Sequence, residues 1–241
     1  MTRTATNTTI QLLLFLFLLS ACSTKKNRWF NRQYHNTTAK YNGYFNGKES
    51  IKKGLNKIND SSEDDYNQII NVFKEQDLSK SKSTHSYMDK AIRKGSVVIQ
   101  RHSMKIKGKE HCKWIDDNYL MIGKAYFYKG EFDEALKTFL FIIDEFKKTE
   151  VAYEAKIFAL RTYSEKNDFL SSEEIISELN KKRTISKKLK LFKHSSIADC
   201  YLKQQNYSLA IDELNECVKL SKKRHAARYK FILAQVYQNI G

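Results

Sequence analysis

Proline is absent from the 241 residues, and glycine occurs only eight times. Without proline there is no obligatory helix breaker, and so little glycine leaves no glycine-rich loop to cradle a phosphate. Apolar runs are short too. The longest, Leu12 to Leu19, covers eight residues, whereas a membrane-spanning helix needs about 20. Cysteine is scarce: beyond Cys22 stand Cys112, Cys200 and Cys217, an odd number for a disulfide framework and with no metal-ligand spacing. Acidic residues are outnumbered, 27 against 43 basic, for a net charge of +16. Such an excess raises nucleic-acid binding in a cytoplasmic chain. Here the basic residues are dispersed, apart from Lys181-Lys182-Arg183, Lys187-Lys188 and Lys222-Lys223-Arg224, and read as solvated helix faces. No stretch alternates as a strand does between turn signals. The expected class is all-α.

What is present is a repeat. With Asp116 as position one, Gly123 falls at eight, Tyr126 at eleven, Gly130 at fifteen, Ala135 at twenty and Phe139 at twenty-four. The pattern resembles the tetratricopeptide repeat: small residues where two helices of a hairpin meet, aromatics around that contact, glycine at the turn. Later copies are degenerate. Tyr163, Tyr201 and Tyr237 follow Tyr126 at spacings of 37, 38 and 36 residues, against about 34 in the ideal repeat. Cys200 and Cys217 fall on small core positions of the third copy, where a free thiol packs as a compact hydrophobe. An ordinary helical bundle would also show aromatic stripes, but not this phase repeated four times.

The expected organisation is a tetratricopeptide α-solenoid behind a short irregular helical module. Residues 1–21 are a signal peptide, 22–36 a tether and 37–112 the N-terminal module. Repeats follow at 116–149, 153–186 (degenerate) and 191–224, with a truncated fourth at 227–241. Half a repeat leaves an apolar face open, so 227–241 should be poorly ordered or lean on another surface. Within the module, short helices are expected over Thr37–Phe45, Lys48–Ile58 and Tyr66–Lys74, the first two separated by Asn46-Gly47. A longer helix is expected from Thr84 to about Met104, then a basic loop to Trp114.

At the N-terminus, Arg3, the apolar run and Leu19-Ser20-Ala21-Cys22 resemble the lipobox of bacterial lipoproteins. The resemblance implies cleavage after Ala21 and acylation of Cys22. A plain signal peptide cut nearby is the simpler alternative.

Further motifs narrow the resemblance. They are Cys22-Ser23-Thr24-Lys25-Lys26-Asn27-x-Trp29, Tyr34-His35-Asn36-x-Thr38-Ala39-x-Tyr41-Asn42 and Tyr44-Phe45-Asn46-Gly47-Lys48-Glu49. Together with Trp114-x-Asp116-Asp117 and Gly123 to Gly130, they resemble the N-terminal part of the SprE/PorW lipoproteins of Bacteroidetes. That resemblance implies a scaffold of type IX secretion and gliding motility, lipid-anchored at the outer membrane, facing the periplasm, with other machinery proteins as partners. Family members are much longer than this chain. A tetratricopeptide lipoprotein of outer-membrane protein assembly or of a glycan import complex is the alternative.

Catalysis has no support in the sequence. Nucleophile elbow, zinc-protease motif and dinucleotide fingerprint are all missing. The histidines show no ligand spacing, and His111-Cys112 reads as an exposed loop pair. No cofactor, metal, nucleic acid or small-molecule substrate is expected. Recognition is expected on the concave face, at first-helix positions two, five, nine, twelve and thirteen. These are Asp117, Leu120, Lys124, Phe127 and Tyr128, then Glu154, Ile157, Arg161, Ser164 and Glu165, then Phe192, Asp199, Leu202 and Lys203. Lys124 and Arg161 would pair a partner's carboxylates, with Phe127 and Tyr128 as aromatic anchors. The plainer reading is that these residues meet another part of the same protein.

Overall fold

The computed structural model describes residues 23–76, 78–181 and 184–241. The expected leader, 1–21, and Cys22 lie outside the described residues. Helix α1 (Trp29–Thr38) runs through a wide π-helical turn (Ala39–Tyr44) into α2 (Phe45–Ser61). An irregular stretch with short 3₁₀ turns leads to α3 (His85–His102) and a small antiparallel hairpin, β1 (Lys105–Ile106) and β2 (Lys109–Glu110). Three helix hairpins follow: α4 (Ile115–Lys129) with α5 (Phe132–Glu145), α6 (Glu150–Glu165) with α7 (Phe169–Lys181), and α8 (Lys187–Lys203) with α9 (Tyr207–Leu220). A further helix, α10 (Lys223–Ile240), packs on α9. Among the described residues, no helix is long and apolar enough to cross a membrane.

The hairpins share one turn geometry. Gly130 has φ +79°, and the same left-handed conformation recurs at Asn167 (φ 57°) and Gln205 (φ 58°). At each turn an amide reaches back to a tyrosine carbonyl: Glu131 to Tyr126 at 3.0 Å, Asp168 to Tyr163 at 2.9 Å and Asn206 to Tyr201 at 2.9 Å. This closure satisfies carbonyls that a helix end leaves unpaired. It persists in copies that have lost the glycine. Inside each hairpin the contact is close. A β-carbon on Gly123 would stand 2.5 Å from the Phe139 ring, which is why position eight is small in the first repeat.

The N-terminal module differs from the sequence expectation. Asn46-Gly47 does not separate two helices, because the chain stays helical from Trp29 to Ser61. Gly47 serves contact instead: a β-carbon there would meet Met121 at 2.5 Å. The expected tether is helical from Trp29, and it buries Asn31 and His35. Asn31, His35, Ala39, Gly43 and Gly47 form a buried stripe at every fourth residue. An α-helix has 3.6 residues per turn, so such a stripe would drift round the helix; the wider π turn returns it to register.

Two further corrections concern loops. Residues 66–73 are not helical. Asp65 Oδ1 accepts the Asn67 amide at 3.0 Å, a local turn that competes with helix, and Ile69, Ile70 and Val72 lose rotamer freedom in one. Cys112 is buried against Ala39, Val98 and Ile115 rather than exposed, and burial pushes its thiol up to about 11. Cys200 and Cys217 are fully buried, as their core positions require.

Candidate functional site

The first helices α4, α6 and α8 stack along the inner side of the array, and α2 stands opposite them. Between the two walls lies a cavity of about 610 Å³. Its floor is apolar: Ile51 and Leu55 from α2, Leu120 and Met121 from α4, Phe158 from α6, Phe192 from α8. Its rim is charged, with Lys48, Lys52, Lys124 and Lys188 beside Asp117, Glu154 and Glu75. Lys124 donates to Glu154 at 2.5 Å, bridging the first and second repeats. Burial pushes the Lys124 amine down, opposed by that carboxylate. Asp117 is pushed up to about 6, first by burial and then by Asp116, with Lys124 pulling the other way.

Of the expected groove residues, Asp117, Leu120, Lys124, Tyr128, Glu154 and Phe192 line this cavity. Phe127 does not: it is 2% exposed, packed edge-on against Tyr128 and Phe158. Arg161 is 1% exposed and is not a rim cation. Its guanidinium sits among Phe73, Phe127, Phe158 and Phe192. Asp199 and Lys203 form an internal ion cluster with Glu165, at 3.2 Å and 2.7 Å from the lysine amine. Ile157 and Ser164 are buried as well. The expectation of a free cation at Arg161 and an aromatic anchor at Phe127 is thus overturned, because Phe132 and Phe158 pack on Phe127, while Phe73, from outside the repeats, closes over Arg161.

Part of the concave face is filled by the chain itself. Residues 62–73 leave α2 and run as a strap to α10. There Asp64 receives Arg228 through two contacts of 2.8 and 2.7 Å. Arg228 also donates to the Asn71 carbonyl at 2.6 Å, and Gln235 accepts the Ile70 amide at 3.1 Å and donates to the Gln68 carbonyl at 2.7 Å. Ile70 and Val72 are buried with Leu214, Ile232, Leu233 and Val236. The last helix therefore leans on another surface, one supplied by the N-terminal module.

A family model for the tetratricopeptide repeat matches residues 116–140 and 194–224. The chain is an all-α tetratricopeptide-repeat solenoid. No curated protein matches it. The matched segments cover α4 with the start of α5, and the later part of α8 with α9. The second hairpin lies between them, carrying the same turn closure. Arrays of this kind are typically non-catalytic and present extended concave surfaces to protein partners.

Sequence reasoning missed the α2 wall and the strap. For the wall a signal existed: Ile51, Leu55 and Ile58 recur at helical spacing beside Lys48 and Lys52. The strap carried no such signal, since its apolar cluster reads equally as a short helix.

Proposed function

We propose that this protein is a non-catalytic lipoprotein scaffold of the SprE/PorW type, serving type IX secretion and gliding motility. In this reading Cys22 is acylated, the chain is held at the outer membrane facing the periplasm, and the repeats dock other proteins of the machinery. The observation that carries the docking role is the apolar cavity between α2 and the first helices, rimmed by Lys48, Lys124 and Lys188. It suits a polypeptide segment with an apolar side chain flanked by carboxylates. The anchor is supported by the lipobox-like run ending at Cys22, and the family assignment by the motif block from Cys22 to Glu49.

A photo-crosslinking residue at Lys188, followed by mass spectrometry of the captured partner, tests the reading. Secretion-ring or motor components are the expected products. Capture of a barrel-assembly or nutrient-import complex would instead select the alternative lipoprotein role. The pair Lys48→Glu with Lys52→Glu, carried beside the probe at 188, should abolish capture at low salt, and unaltered capture would remove the cavity from the mechanism. Separately, Cys22→Ala should leave uncleaved precursor or release soluble protein; unchanged outer-membrane fractionation would overturn the anchor.

A further inference from the structure

Five large aromatic side chains stand exposed on α1, the π turn and the start of α2: Trp29, Phe30, Tyr34, Tyr41 and Phe45, each at least 42% accessible. They are not scattered. The buried stripe runs through residues 31, 35, 39, 43 and 47. Trp29, Tyr41 and Phe45 occupy the stripe two residues away, which an α-helix places on the far side. Phe30 and Tyr34 lie on the adjoining stripe. On the other flank of the Trp29, Tyr41 and Phe45 stripe, a third stripe carries Arg28, Arg32 and Lys40 at multiples of four residues. From Ser23 to Lys48 there are six basic side chains and no acidic one. The segment after the β-hairpin is tied to this helix, with the Lys113 amide donating to Asn36 Oδ1 at 2.7 Å, and the hairpin itself adds the exposed Lys107 and Lys109.

Exposed aromatics of this number, clustered on one face, signal an interface rather than ordinary solvent exposure. The partner is set by the charge. Aromatic rings flanked by lysine and arginine, with no carboxylate among them, match the boundary between anionic headgroups and acyl chains. We infer that the helical run from Trp29 to Phe45 lies on an anionic lipid surface, with its rings at the headgroup level and its basic stripe against lipid phosphates. This extends the lipoprotein reading: Trp29 follows Cys22 by seven residues, so an acylated Cys22 would deliver this face to the bilayer. The consequence is orientation. A single acyl attachment leaves a protein free to swivel, whereas a second contact along the helix holds the array in one attitude to the membrane.

The test uses the chain from residue 23, which holds every described element and no lipid. The substitution Trp114→Phe leaves Trp29 as the sole tryptophan; this variant is mixed with phosphatidylglycerol-containing vesicles bearing brominated acyl chains. Trp29 emission should shift to the blue and be quenched by the bromines. Phosphatidylcholine vesicles should bind on the order of tenfold more weakly, as should Phe30→Glu with Tyr41→Glu on anionic vesicles. Flotation of the chain with both tryptophans repeats the comparison without relying on the Trp114 change. Equal partition of wild type and the double variant, or a Trp29 that stays water-exposed on vesicle-bound protein, would overturn the inference. So would shielding of Trp29 only by a protein partner. Acylation is read independently from the mass of Cys22, so failure of the anchor and failure of this face give different results.

Discussion

The guanidinium carbon of Arg161 lies 3.9 Å from the centroid of the Phe73 ring. This contact joins the second repeat to the strap, and three more phenylalanines complete the surround: Phe127 at 4.8 Å, Phe158 at 5.4 Å and Phe192 at 5.6 Å. Arg161 Nε and Nη2 have no hydrogen-bond partner among the described residues, so the rings supply much of what holds the charge. Phe73→Ala should cost about 2 kcal/mol, combining lost burial with the lost cation–π contact. Arg161→Met should stay within about 1 kcal/mol of wild type, since removing a buried charge offsets the contacts it gives up. Urea denaturation of the two variants measures both values. A large loss for Arg161→Met would mean the charge is paired more strongly than the rings account for.

The clamp at α10 should open before the rest of the array. Arg228→Ala removes the paired contacts to Asp64 and those to the Asn71 carbonyl, a loss of about 1–3 kcal/mol for charge-assisted bonds. Hydrogen exchange over residues 223–240 should accelerate while that of α4 stays unchanged. Acid should act on the same contact. The Arg228 hydrogen bond holds the Asp64 carboxyl below its ordinary value of 3.8, so its contribution is intact above that pH and is lost as pH falls through the lower folded value.

Left-handed turns without glycine carry strain. Gln205 adopts φ 58° where the first repeat has Gly130. Gln205→Gly should stabilise the protein by about 1 kcal/mol, and Gly130→Ala should destabilise it by a similar amount. Asn167→Gly should gain less, because asparagine tolerates this conformation. Thermal melts of the three single variants rank them. A gain at 167 equal to that at 205 would contradict the argument.

Close helix contacts predict a second ranking. A β-carbon on Gly43 would meet Val98 Cγ2 at 1.8 Å, and one on Gly123 would meet the Phe139 ring at 2.5 Å. On Gly47 it would meet the end of the Met121 side chain, which can turn aside. Alanine should therefore cost about 1–3 kcal/mol or more at 43 and 123, and less than about 1 kcal/mol at 47. Chemical denaturation of these variants checks the order.

His35 and His102 face each other across the N-terminal module, Nδ1 to Nδ1 at 2.9 Å. One ring must donate and the other accept, so the pair cannot hold two protons at that bond. Burial pushes His102 below its ordinary 6.5, with His35 and then Arg101 adding to the effect. Below 6.5 the unfolded chain takes up the proton more readily than the folded one. Stability should thus be level above that pH and fall as pH drops beneath it towards the folded value. Melting temperatures between about pH 5 and 8 should show this slope, and His102→Gln should flatten it.

Much of the array was legible in the chain. Gly123, Tyr126, Gly130, Ala135 and Phe139 mark the first hairpin because each answers to a contact within about 25 residues of chain. Local chemistry of this kind leaves a periodic trace. Absence of proline, small residues at eight and twenty, and tyrosines at near-constant spacing were enough to place the hairpins and to assign Cys200 and Cys217 to the core. Asp117, Leu120, Lys124, Tyr128 and Glu154 were legible in the same way, since position within a first helix decides which residues face inward.

Tertiary structure alone decided what covers that inner face. Phe73 reaches Arg161, Asp64 reaches Arg228 and Gly47 reaches Met121 across segments that share no periodicity. Such pairings depend on where two distant parts of the chain meet, and an extended strap bonded mainly through its backbone leaves no repeating side-chain signature. The repeats could be read one at a time. Whether Arg161 greets a partner or lies beneath Phe73 depended on the path of residues 62–73 through space.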